Sequence, residues 1–262
     1  MKIVRFEQDG KAVCGAVEGD IISAVNGSIY NEFSIGKELC KLSDVKLLAP
    51  VQPRLVVGIG ANYRDHLAST GKEIPSEPVV FYKPASSVIG HLDNIICPSI
   101  SKKVSYAGEL AVVIKCTAEH VAEENALDYV LGYTCANDVT ANDLFTPIAP
   151  TRAKAFYTFC PLGPYIVTDV NGDNLRLRSR LNSVLKQDNN TKDMIFSISK
   201  LISSITEFMA LEPGYVIITG SSTKGPTTIN DGDTIEIEIE GIGTLRNTVI
   251  KDNSKYIKRR AK

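Results

Sequence analysis

The run Thr234-Ile235-Glu236-Ile237-Glu238-Ile239-Glu240 alternates polar and apolar residues without a break. Successive side chains of a strand point to opposite faces, so this pattern demands a β-strand with one face on a core and the other in water, as in antiparallel sheets. Asp231-Gly232-Asp233 precedes it as a turn. Near the start of the chain, Lys2 to Phe6, Ala12 to Val17 and Asp20 to Val25 are separated by Asp9-Gly10 and Glu18-Gly19, which are hairpin signals. Leu47-Leu48-Ala49-Pro50-Val51-Gln52-Pro53 is a proline-marked connector, after which Leu55 to Gly60 restarts as a buried strand. A boundary there divides a small β domain, residues 1–50, from a larger one, residues 51–262. In the larger part strands are expected at Val79 to Tyr82, Leu110 to Ile114 and Asp128 to Asn137. Helices are expected from Asn62 to Thr70, from Ala118 to Ala126, and after Phe196, where Ile198, Leu201, Ile202, Ile205, Phe208 and Met209 make one apolar face. The expected class is mainly β with a few helices (α+β).

Composition narrows the partners. A formal net charge of −1 gives no overall basic field for nucleic acid or a membrane surface, and the basic stretch Lys255 to Lys262 reads as a solvated tail. Hydrophobic content of 44% with 23% charged residues is that of an ordinary soluble globular protein. Six widely spaced cysteines with no CxxC pair argue against a zinc or thioredoxin-type site. With neither a signal peptide nor an apolar run of about 18 residues, a cytoplasmic setting with free thiols is the expectation.

The stretch Val104 to Ile114 carries the chemistry. A Glu-x-Glu pair on a strand would aim two hard oxygen ligands at one point, as Mg²⁺ requires. Here Glu109 stands alone, with Ala107 in its partner's place.

The chain resembles the fumarylacetoacetate hydrolase family, of the small 2-hydroxyhepta-2,4-diene-1,7-dioate isomerase or acylpyruvase-like type. The resemblance runs through Gly58-Ile59-Gly60-Ala61-Asn62-Tyr63-Arg64-Asp65-His66, Phe81-Tyr82-Lys83-Pro84, the Glu109 strand, Gly132-Tyr133-Thr134-Cys135-Ala136-Asn137-Asp138, Pro161-Leu162-Gly163-Pro164, Leu211-Glu212-Pro213-Gly214, Thr219-Gly220 and Ile239 to Asn247. It implies a β-sandwich roll behind the small N-terminal β domain, homodimers, and a divalent-metal site. Glu109 and Asp138 match its metal ligands, so a Mg²⁺ site here would be weak or absent. Lys154 matches a lysine beside metal and substrate, His66 a proton-moving histidine, and Lys83 a residue in contact with substrate or at the pocket rim.

The departures cluster. Ser69 replaces the glutamate that would orient His66, Asn142 and Phe145 replace an Arg and a Gln that grip a substrate carboxylate, Tyr157 replaces an Asp, and the Thr-Gly-Thr-Pro turn reads Thr219-Gly220-Ser221-Ser222. Together with Ala107 they remove carboxylates and carboxylate-binding groups and add aromatic surface, which suits a larger, less charged substrate. The leading expectation is a divergent enzyme acting on a carbonyl or 1,3-dicarbonyl compound by enolate-type chemistry: isomerisation, cyclisation or C–C cleavage. Lys154, with donors near Thr219 and Ser221, would stabilise the oxyanion, His66 would move a proton, and Phe145 and Tyr157 would shape an apolar pocket. The alternatives are a Mg²⁺-dependent acylpyruvate hydrolase or oxaloacetate decarboxylase, and a non-catalytic binding or partner subunit.

Overall fold

The structure, a computed structural model, describes residues 1–71, 73–222 and 227–252. The basic stretch from Lys255 lies outside these. Four strands open the chain: β1 (Lys2–Gln8), β2 (Lys11–Glu18), β3 (Ile21–Gly27) and β4 (Phe33–Lys41). Asp9 and Gly10 both take left-handed φ, 51° and 73°, as the expected two-residue hairpin needs. Then follow β5 (Leu55–Gly60), α1 (Arg64–Thr70), β6 (Val79–Pro84), β7 (Val88–Ile89), β8 (Asn94–Cys97), β9 (Val104–Tyr106), β10 (Gly108–Ile114), β11 (Val130–Asn137), β12 (Thr140–Ala141), α2 (Thr151–Lys154) and β13 (Cys160–Val167). The last part holds β14 (Arg176–Leu181), β15 (Val184–Asn190), α3 (Ile198–Thr206), β16 (Val216–Ile218), β17 (Thr227–Thr228), β18 (Thr234–Ile239) and β19 (Gly243–Lys251).

The strands make three sheets. The largest runs β4-β3-β2-β1-β13-β11-β10-β16-β5-β6, so the N-terminal strands continue the main sheet through the β1–β13 pairing; a second runs β15-β14-β18-β19-β8, and a small one β12-β9-β17. In β18 every second residue, Ile235, Ile237 and Ile239, is buried while Thr234, Glu236 and Glu238 are half-buried, as strict alternation predicts. Their isoleucines join Leu110, Val112 and Ile114 of β10 in one core. The middle strand β10 is buried along its whole length, and α3 adds Ile198, Leu201, Ile202 and Ile205 to the same core.

Two helix expectations need correction. The segment from Ala118 to Ala126 is not an α-helix: a 3₁₀ helix covers Glu123–Tyr129, and Ala118 instead exchanges backbone hydrogen bonds with Leu211. His120 has φ of 48°, which no right-handed helix accommodates, and its N–H is taken by Thr206. The apolar face of α3 also stops short, because the helix ends at Thr206 and Phe208 is exposed. Burying the middle strand so completely has a measurable cost if disturbed. Leu110→Ala is expected to destabilise the protein by about 2–5 kcal/mol, read as a lower midpoint in chemical denaturation.

Candidate functional site

The site grows out of the β10–β11 register. Gly108 pairs with Asn137 and Glu109 with Ala136, and the ladder continues as the Asp138 N–H donates to the Ala107 carbonyl at 2.9 Å. Next along, Ser105 on β9 pairs with Thr140 on β12. Because directly opposed residues share a face, Ser105, Thr140, Ala107, Asp138 and Glu109 form a single row. All five line a cavity of about 490 Å³ together with His66, Asn142, Phe145, Lys154, Ser221 and the apolar residues Ile59, Val79, Val80, Phe81, Pro147 and Pro150. That volume and composition suit a small organic molecule.

Asp138 is the centre of its charge. Its Oδ1 accepts from Lys83 Nζ at 2.5 Å, and Lys154 Nζ donates to its Oδ2. Burial alone would push this carboxyl up, but the Lys154 and Lys83 ammonium groups outweigh it and hold Asp138 below the usual aspartate range. Lys83 is wholly buried and also donates to the Val139 carbonyl at 3.1 Å. The Lys154 ammonium lies 4.7 Å from the centre of the Phe81 ring. Glu109 behaves oppositely. Burial, then the nearby Asp138 charge, raises it to about 8, even though Lys154 and the Gly220 N–H, which donates to Oε2 at 2.8 Å, pull the other way. Two lysines therefore share the Asp138 carboxylate, beside a Glu109 held toward its protonated form.

The remaining sequence expectations divide. Asn142 lines the cavity with its amide donating to Ser105 Oγ at 2.7 Å, and Phe145 stands exposed at its mouth. The Ser69 hydroxyl donates to the His66 carbonyl at 2.9 Å, so this contact is with the helix backbone and not with the imidazole. Thr219 is buried, its hydroxyl donating to the Leu110 carbonyl at 3.1 Å, while Ser221 reaches the cavity. Neither Tyr157 nor Lys83 is among the lining residues; Lys83 acts from beneath through Asp138. Sequence reasoning missed Ser105, Thr140 and Phe81. Ser105 was findable, since it precedes Ala107 and Glu109 at strand period two.

A divalent ion fits this donor set poorly. Mg²⁺ needs several hard oxygens and enough negative charge to offset its dehydration. Ala107 brings no oxygen, both Asp138 oxygens are ion-paired, and Glu109 is held toward its neutral form. Among the described residues no group of three or more His, Cys, Asp and Glu gathers as a ligand set.

The family model described as fumarylacetoacetate (FAA) hydrolase C-terminal matches residues 55–250, and a model described as Rv2993c-like, N-terminal, matches residues 1–50. An uncharacterised protein of Archaeoglobus fulgidus is 46% identical over 235 residues, covering 86% of this chain and 94% of that one. An oxaloacetate tautomerase of Xenopus laevis is 39% identical, covering 79% of this chain and 69% of its own length. Among solved structures, 5-carboxymethyl-2-hydroxymuconate delta-isomerase from Mycobacterium smegmatis superposes with a TM-score of 0.89 at 35% identity, covering 96% of this chain and all of that one.

Two measurements test the electrostatics. Glu109 holds its proton more tightly folded than unfolded, so its contribution to stability is full below the ordinary value of 4.5 and is lost as pH rises through about 8. Asp138 has the opposite sign and is lost only in acid. Glu109→Gln should therefore remove a decline in stability between roughly pH 5 and 8 in denaturation curves. Titration calorimetry with Mg²⁺ or Mn²⁺ should give only millimolar or weaker binding, and Ala107→Glu, opposite Asp138, should tighten it by about tenfold or more.

Proposed function

The chain belongs to the fumarylacetoacetate hydrolase family and is an enzyme acting on a small molecule, and within that frame we propose that it interconverts the keto and enol forms of a 1,3-dicarbonyl or 2-oxo acid with weak or no metal dependence. The observation that carries this reading is the Lys154 ammonium, which faces the cavity while sharing Asp138 with Lys83. An ammonium group facing a largely apolar cavity stabilises negative charge that develops on a substrate oxygen. The His66 imidazole takes the proton from the carbon α to the ketone, leaving an enolate whose oxygen accepts from Lys154 Nζ. Return of that proton from the imidazolium to the oxygen completes the enol. Hydroxyls of Ser105, Thr140 and Ser221 and the Asn142 amide orient the carbonyls.

The relatives support the reaction class, one being named an oxaloacetate tautomerase and another a delta-isomerase. The pocket argues for a different substrate. Among the described lining residues Lys154 is the only lysine or arginine, and Phe145, Val79, Val80 and Phe81 are apolar, which favours a single anionic head with an apolar tail over a diacid. Homodimeric assembly is part of the same proposal and rests on the family resemblance alone. The Mg²⁺-dependent hydrolase or decarboxylase reading draws on Glu109 and Asp138 standing on one face of the cavity, and a chelator separates the two.

Keto–enol interconversion followed by ultraviolet absorbance tests the proposal, with oxaloacetate and an aryl-substituted 2,4-dioxo acid as substrates. Lys154→Ala should lower kcat by about 10²-fold or more, the size of an oxyanion-stabilising group. Chelator should change little, and the aryl substrate should have the higher kcat/KM. Strong inhibition by chelator, or an unaffected Lys154→Ala, would overturn it.

A further inference from the structure

Lysine has a long, flexible stem, so a lysine that must meet a developing charge needs something to fix its head. Asp138 supplies one anchor for Lys154, yet Asp138 is already engaged by Lys83. The second anchor is the Phe81 ring, whose centre lies 4.7 Å from Lys154 Nζ. Phe81 and Lys83 are two apart on β6 and face the same way. One strand therefore delivers both the ring and the competing ammonium.

The ring owes its place to Gly58. The two residues are directly paired across β5 and β6, and a Cβ at position 58 would lie 2.2, 2.3 and 2.7 Å from three Phe81 ring carbons. Any side chain there would force the ring aside. Gly58 has no positive φ that would otherwise call for glycine.

We propose that Phe81, seated over Gly58, is a positioning residue that holds the Lys154 ammonium toward the substrate oxygen without neutralising it. A ring attracts a cation through its quadrupole but carries no net charge, so it takes nothing further from the positive charge that Lys154 already shares with Asp138. A second carboxylate in that place would fix the lysine equally well and cancel its charge. This assignment rests on the Lys154 chemistry above.

The test begins without substrate. In protein with carbon-13-labelled lysine, the Lys154 ε-methylene protons should show an upfield ring-current shift, and Phe81→Leu should abolish it. Absence of that shift in the unaltered protein would overturn the proposal whatever the reaction is. For turnover, Phe81→Leu and Gly58→Ala should each lower kcat on the order of tenfold with little change in KM, and Phe81→Tyr should retain activity. Replacing Phe81 by mono-, di- and trifluorinated phenylalanine keeps the shape while draining the ring face. A stepwise fall in kcat is expected; a flat series, or a change confined to KM, would make Phe81 packing or a substrate contact and refute the assignment. Should Lys154→Ala cut turnover while the fluorinated series stays flat, only the role of Phe81 fails. An unaffected Lys154→Ala would instead remove the functional reading beneath it.

Discussion

A buried carboxylate held between two lysines is the constraint around which this site is organised. Asp138 directly follows β11, Lys83 lies on β6 and Lys154 ends α2, so one ion cluster ties three elements of different sequence regions together. A charge taken out of water is costly unless it is paired, and removing one member of such a cluster typically costs about 3–5 kcal/mol. The geometry of the cavity wall is therefore not free to drift: the register of β10 against β11 sets Asp138, and Asp138 sets both lysines.

The same cluster explains why the loss of one carboxylate at position 107 is tolerable. In a site whose charge balance depended on a divalent ion, Ala107 would leave a ligand missing. Here the lysines already supply the positive charge, and Glu109 relieves the remaining carboxylate repulsion by favouring its protonated form. Substrate binding and oxyanion stabilisation can then be carried by an ammonium group in a largely apolar pocket. The apolar rim, with Phe145 at the mouth and Phe81 under Lys154, fits that division of labour.

Much of the architecture was legible because periodicity reports burial directly. The isoleucines of β18, the Asp9-Gly10 hairpin and the short helix after Asn62 each followed from local pattern. The segment after Ala118 misled because its alanine and glutamate content favours a helix, whereas its backbone groups pair with the chain following α3. The strands β14 and β15 went unread, since their outward faces are rich in charged residues such as Arg176, Arg178 and Asp188.

By itself the sequence determined the fold class, the family, and which residue types could gather at the site: Glu109 and Asp138, Lys154, His66, and the absence marked by Ala107. These depend on neighbours along the chain or on recognisable blocks of it. Only the tertiary structure decided that Lys83 binds Asp138, that the Thr219 hydroxyl donates to the Leu110 carbonyl, and that Gly58 makes room for the ring beneath Lys154. Each of these is a contact between residues distant in sequence, and its sign and strength depend on burial and distance, which no local pattern encodes.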